Sequence, residues 1–258
     1  MKRLQLIALV LFFTKTVPAQ NYFIAHRGAS YLAPENTLVA VNMAWDLGAD
    51  AVEVDVHLSF DNRVMVIHDK NTKRTSKGSH KMNVAESSSA ELRSLDVGSF
   101  KSAEFAGEKI PFIDEVLETI PADKTLFIEI KCGPEILPAL EKEILQSGKI
   151  KQLVFISFGW NTILETQAKF PDNQCYYLKM NPIGLRRKMK QAAENKLAGV
   201  NLYYRIINPR VISSAEQLNI EVLTWTVDKP QTVRKLNNMG INKITTNRPL
   251  WLKEQLEK

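Results

Sequence analysis

The chain has 258 residues, 45% of them hydrophobic and 24% charged, with a formal net charge of +6. That composition is ordinary for a globular protein and excludes disordered, collagen-like and coiled-coil chains. A balance of 34 basic against 28 acidic residues is too slight for a nucleic-acid-binding surface, and two cysteines are too few for a disulfide framework.

The first elements belong to a leader. MKRLQLIALVLFFTKTVPAQ opens with Lys2 and Arg3, and an apolar run from Leu4 to Phe13 follows. Val17 and Ala19 occupy the −3 and −1 positions of a cut after Ala19. This pattern predicts a signal peptide over residues 1–19 and an exported protein, periplasmic or secreted. The run is shorter than the roughly 20 residues a membrane span needs. Cleavage removes Lys2, Arg3 and Lys15, so the mature charge is about +3. Export permits a disulfide between Cys132 and Cys175, but free thiols are the expectation for a single pair.

From residue 20 onward, apolar β-rich runs alternate with helical patterns. YFIAH (22–26) reads as a strand, and residues 36–48 as an amphipathic helix capped by Asn36 or Thr37 and stopped at Gly48. AVEVDVHL (51–58) and RVMVIH (63–68) are strands separated by SFDN. So short a link forces an antiparallel hairpin. A two-residue turn at Asp61-Asn62 sets Asp55 opposite His68. Residues 69–111, rich in Ser, Lys and Glu, read as an excursion or small subdomain.

Further strands are expected at 125–131, 153–158, 175–180, 200–204, 222–227 and 241–247, with helical segments between them. Setting aside the hairpin strand, eight strands alternate with helices. The expected fold is a (β/α)8 TIM barrel carrying a β-hairpin and a small insertion after its second strand. One domain then spans 20–258, with the insertion at about 69–111.

In such a barrel the site lies at the C-terminal ends of the strands. His26 and Arg27 end the first strand. Glu53, Asp55 and His57 share one face of the second, and Glu129 and Lys131 share one face of the strand at 125–131. Buried carboxylates must be paired or bind metal. Three of them make a hard oxygen site suited to Ca2+ or Mg2+. Arg27 and Lys131 suit non-bridging phosphate oxygens. His26 and His68 offer an acid and a base. Together these residue types describe phosphodiester cleavage.

IAHRGAS, APENTL, GADAVEVDVHLSFDNRVMVIHD, LFIEIK, VLTWTV and ITTNRP occur in that order, and the chain resembles the glycerophosphodiester phosphodiesterases of the phospholipase-C-like barrels. RTSKG, ELRSLDVGSF and KIPFIDEVL resemble that family's insertion. The resemblance implies metal-dependent hydrolysis of glycerophosphodiesters to sn-glycerol 3-phosphate and an alcohol. It implies His26 and His68 as the acid-base pair and Glu53, Asp55 and Glu129 as ligands of one divalent cation. It also implies phosphate contacts from Arg27 and Lys131, a supporting Glu35, and Trp225 lining the pocket. Two departures stand out: Asn62 replaces the usual hairpin glycine, and Asn247 replaces an aspartate at the end of the last strand. His57 and His80 carry no assigned role. The basic run RRKMK (186–190) is a solvated helix face able to make weak contact with an anionic membrane. The alternatives are a lysophospholipid or envelope polymer as substrate, or a non-catalytic phosphodiester-binding barrel.

Overall fold

The computed structural model describes residues 20–78 and 81–258, so the leader at 1–19 and His80 lie outside the described residues. The described residues form nine strands: β1 (Tyr22–His26), β2 (Ala51–Leu58), β3 (Val64–Val66), β4 (Thr125–Ile130), β5 (Leu153–Ser157), β6 (Gln174–Lys179), β7 (Gly199–Tyr203), β8 (Glu221–Trp225) and β9 (Lys243–Thr246). All but β3 run parallel in one sheet, and it closes because β1 pairs with both β2 and β9. This is the (β/α)8 barrel, and its ring lies wholly within Tyr22–Thr246.

The helices are α1 (Leu38–Asp46), α2 (Ser89–Ser94), α3 (Ile113–Glu118), α4 (Leu137–Ser147), α5 (Trp160–Lys169), α6 (Leu185–Glu194), α7 (Pro209–Gln217), α8 (Pro230–Asn237) and α9 (Pro249–Glu257). Strand alternation builds two cores. On β2, Val52, Val54 and Val56 face the helices and are completely buried. Each such valine contributes about 1.5–3 kcal/mol relative to an exposed one. The opposite faces of the strands fill the lumen with Ile24, Phe127, Tyr176 and Leu223, among others. Acids at the ends of those same inner faces are therefore carried into the barrel mouth.

The hairpin differs from the two-residue turn. Leu58 pairs with Val64 and Val56 with Val66, and Ser59 N–H donates to the Arg63 carbonyl. The loop is thus three residues, 60–62, with Asn62 in the left-handed region at φ 61°. That is a turn closed by a bulge, which suits an asparagine. The register shifts by one, and Ile67, not His68, bonds to Asp55: its N–H donates to the Asp55 carbonyl at 2.9 Å. His68 reaches the mouth because β3 ends at Val66 and the chain leaves the sheet.

The insertion is a small subdomain with its own core of Met65, Ile67, Val84, Leu92, Val97 and Ile110. It contains α2, opened by a capping box between Ser88 and Glu91. Cys132 and Cys175 are both free, and burial pushes their thiols up to about 11 and about 12.

Candidate active site

The mouth is assembled first from backbone. Arg27 sits in the left-handed region at φ 56°, a strained conformation for a residue with a side chain. Its N–H donates to Glu53 Oε2 at 2.9 Å. Gly28 follows at φ 77°, and a Cβ there would stand 2.6 Å from the Ala40 carbonyl. Only glycine lets this loop lie against α1, and that contact fixes the direction of Arg27.

Glu53, Asp55 and Glu129 are buried, and an oxygen from each lies within 4.8 Å of the others. Asp55 is the best held. Arg27 Nε is 3.2 Å from its Oδ2, and the Asn36 amide donates to the same oxygen at 2.8 Å. Burial opposes ionisation of Asp55, but Arg27 and Lys131 outweigh it and hold the carboxyl below its usual range. Glu53 goes the other way: burial and the neighbouring Asp55 and Glu129 raise it well above the usual carboxylate range. Glu129 is pushed up to about 7 by burial and Asp55, although Lys131 Nζ lies 2.6 Å from its Oε1. Glu53 Oε1 accepts no hydrogen bond, and Asp55 Oδ1 has only the Lys131 ammonium, 3.5 Å away. Like charges crowded around unused buried oxygens fit a hard divalent cation.

Both histidines have one ring nitrogen committed. His26 Nδ1 is 2.7 Å from Asn247 Oδ1. The Asn247 amide nitrogen donates to Asp228 at 2.7 Å, so its oxygen must face the ring and His26 Nδ1 must carry the proton. Burial, aided by Arg27, pushes His26 down to about 4, leaving Nε2 as an unprotonated acceptor at neutral pH. His68 Nδ1 lies 2.6 Å from Asp69. Asp69 is held to about 2 mainly by hydrogen bonds from Arg74. Arg74 also donates twice to Glu35 at 2.7 Å, and Glu35 accepts from Arg27 at 2.8 Å. One chain of hydrogen bonds and ion pairs therefore runs from His68 through Asp69, Arg74, Glu35 and Arg27 to Asp55.

His26, Arg27, Glu53, His68, Glu129, Lys131 and Trp225 line one cavity of about 350 Å3. Asp55 is fully buried and does not line it. The expected residues are thus brought together, and Glu35 falls in the adjoining cleft. Trp225 donates to the Asn201 carbonyl and packs edge-on to Phe158 at 5.5 Å between centroids. With Ile156, Leu178 and Met180 these rings make an apolar wall. His57 instead bonds to the His68 carbonyl at 3.2 Å and does not line the cavity.

Sequence reasoning missed Asn36 as the clamp on Asp55, the Asp69–Arg74 pair, the Asp228 support, and Asn201. Asn201 is buried in the cavity wall with its oxygen unpartnered. The adjacency of Glu35 and Asn36 in APEN and of His68 and Asp69 was the available signal.

Comparison with known proteins gives the same answer along the whole barrel. A Bacillus subtilis relative is 33% identical over 88% of this chain and 95% of its own. The glycerophosphodiester phosphodiesterase of Caldanaerobacter subterraneus is 30% identical, over 88% of this chain and 93% of its own. An Oleispira antarctica phosphodiesterase, solved with the product sn-glycerol-3-phosphate, superposes with a TM-score of 0.83 at 26% identity, covering 93% of this chain and 98% of that one. The sequence profile of the glycerophosphoryl diester phosphodiesterase family matches residues 26–250, and the chain belongs to that family of hydrolases.

Proposed function

We propose that this protein hydrolyses glycerophosphodiesters to sn-glycerol 3-phosphate and an alcohol, using one Ca2+ or Mg2+ held by Glu53, Asp55 and Glu129. The observation that carries the reading is the trio of buried carboxylates, with Glu53 Oε1 unpartnered, between two histidines whose Nδ1 atoms are already engaged. The bound product of the Oleispira relative supports the substrate class.

When bound, the cation supplies charge neutralisation at a phosphoryl oxygen. The chain's own residues do the rest. Arg27 and Lys131 hold the non-bridging oxygens. His26 Nε2 takes the proton of the attacking oxygen as the new O–P bond forms; that oxygen belongs to water, or to the substrate's neighbouring hydroxyl, whose cyclic phosphate water then opens. His68 Nε2 gives a proton to the departing alcohol oxygen as the old P–O bond breaks. Asn247 and Asp69 keep both rings in position throughout. Asn201 offers an acceptor to a substrate hydroxyl, and Trp225 closes the cavity over the ester arm. The leader pattern of residues 1–19 supports an exported enzyme, acting outside the cytoplasm.

A second reading, a lysophospholipid as substrate, is favoured by one observation: the apolar wall of Ile156, Phe158, Leu178 and Met180 facing the charged one.

The test is release of glycerol 3-phosphate from glycerophosphocholine and glycerophosphoethanolamine, with EDTA, Ca2+ or Mg2+. Release is expected with an ion, is absent in EDTA, and falls about 10^2–10^4-fold in His26→Ala. Undiminished release in EDTA would remove the cation from the reading. No release with either ion would leave a lysophospholipid, an envelope polymer or a binding role.

A further inference from the structure

Nine large apolar side chains are exposed among the described residues, and they are not scattered. Eight lie on segments that directly follow the C-terminal ends of barrel strands, on the face that holds the candidate active site; Leu145 on α4 is the exception. On one side of the mouth are Phe158, Met180 and Ile183, and Ile183 is the most exposed of all at 81%. On the other are Tyr31, Leu32 and, at the start of α9, Trp251. Solvation gives no reason to gather apolar groups at one end of a barrel.

The charge around Ile183 is equally one-sided. The loop 180–184 leads into α6, which Leu185 and Met189 anchor to the core. The exposed side of α6 carries Arg186, Arg187 and Lys190. No acid stands in its first turn, so two arginines sit where the helix dipole disfavours cations. Helix stability does not explain them. Neither arginine has an ion-pair partner among the described residues, and Lys190 has only Glu194 at 3.7 Å. These cations border a groove of about 450 Å3 against Ser214 and Gln217 of α7, and no carboxylate lines it.

We propose that the barrel mouth docks on an anionic phospholipid surface, with Ile183 entering the interfacial region and Arg186, Arg187 and Lys190 meeting the headgroup phosphates. Apolar tip and cationic flank are the two components of interfacial binding, and here they adjoin. No helix among the described residues is long and apolar enough to cross a membrane; the contact proposed is interfacial. Docking turns the candidate active site toward the lipid, which deepens the proposed function by placing its substrates at a membrane surface.

The test is co-sedimentation of residues 20–258, which contain the complete ring, with vesicles of equal parts phosphatidylglycerol and phosphatidylcholine, or of phosphatidylcholine alone. The protein is expected on the anionic vesicles and to leave them as salt rises. Arg186→Gln with Arg187→Gln is expected to weaken that binding about fivefold for each cation removed. Ile183→Asp is expected to weaken it about tenfold or more. Turnover of soluble glycerophosphocholine is expected to stay at the unsubstituted level in both variants, which separates docking from catalysis. Absence of binding to anionic vesicles, equal binding by the variants, or loss of soluble turnover in them would overturn the proposal. Vesicle binding without turnover of any phosphodiester would overturn the proposed function and leave the docking intact.

Discussion

The two ends of the barrel lumen both contain carboxylates, and they treat them in opposite ways. At the N-terminal end Glu221 accepts a proton-bearing group on each side: Lys243 lies 2.8 Å from it, and the Tyr176 hydroxyl bonds to its Oε2. That acid is satisfied and close to solvent. At the C-terminal end three carboxylates crowd together under more burial, with fewer partners than their oxygens could accept. The first arrangement is what folding alone selects. The second is unfavourable in the isolated chain and fits the approach of a further positive charge. Polarity inside the barrel therefore identifies nothing by itself; the unmet demand of particular atoms does.

The sharpest way to break this comparison is to neutralise one acid at each end. Glu53→Gln is expected to cut phosphodiester hydrolysis at least about 10^3-fold if Glu53 is a ligand of the proposed cation, which would be worth several kcal/mol to the reaction. The same change relieves repulsion, so the metal-free variant is expected to melt higher than the parent. Glu221→Gln is expected to leave kcat unchanged and to lower stability by about 1 kcal/mol. Activity assays and thermal melts on the two variants check both. Equal effects at the two ends would end the distinction.

A smaller effect is expected one layer out. Asn36→Ala removes the amide that donates to Asp55 at 2.8 Å and its reciprocal acceptance from the Asp55 N–H. A loss of about 10–100-fold in cation affinity is expected, as for other residues that orient a ligand. Titrating Ca2+ against the melting temperature would measure it, and an unchanged affinity would place Asn36 among purely structural residues.

The gentlest effect is on pH. Glu129 is pushed up to about 7, above its unfolded value. Between the unfolded and folded values the metal-free native state holds the extra proton, so its stability is greatest below the unfolded value and declines as pH rises through about 7. A cation needs the deprotonated ligand, so it reverses the trend. The rise in melting temperature on adding Ca2+ is therefore expected to be larger at pH 8 than at pH 5. A rise independent of pH would mean that Glu129 is not a ligand.

Much of this was legible in the sequence because barrel strands write their roles in alternation. VEVDV puts valines toward the helices and acids toward the lumen, and the eightfold β/α rhythm fixed the architecture. His26, Glu53, Asp55, Glu129 and Lys131 were readable as strand-end residues for the same reason. The hairpin register was not, since a two-residue and a three-residue turn differ only in where Asn62 takes its left-handed conformation. Nor was the chain from His68 through Arg74 to Glu35: it joins side chains on separate loops, and no periodicity relates residues 39 positions apart. Asp228 was hidden likewise, because it acts on His26 only through Asn247.

The bond between His26 and Asn247 spans 221 residues. The first strand to be synthesised must wait for the last before the ring can close and before its histidine is oriented. A growing chain thus carries two open sheet edges, on β1 and on the newest strand, until the final segment emerges. Closure of the sheet edges and orientation of His26 at the barrel mouth therefore both depend on β9 reaching β1.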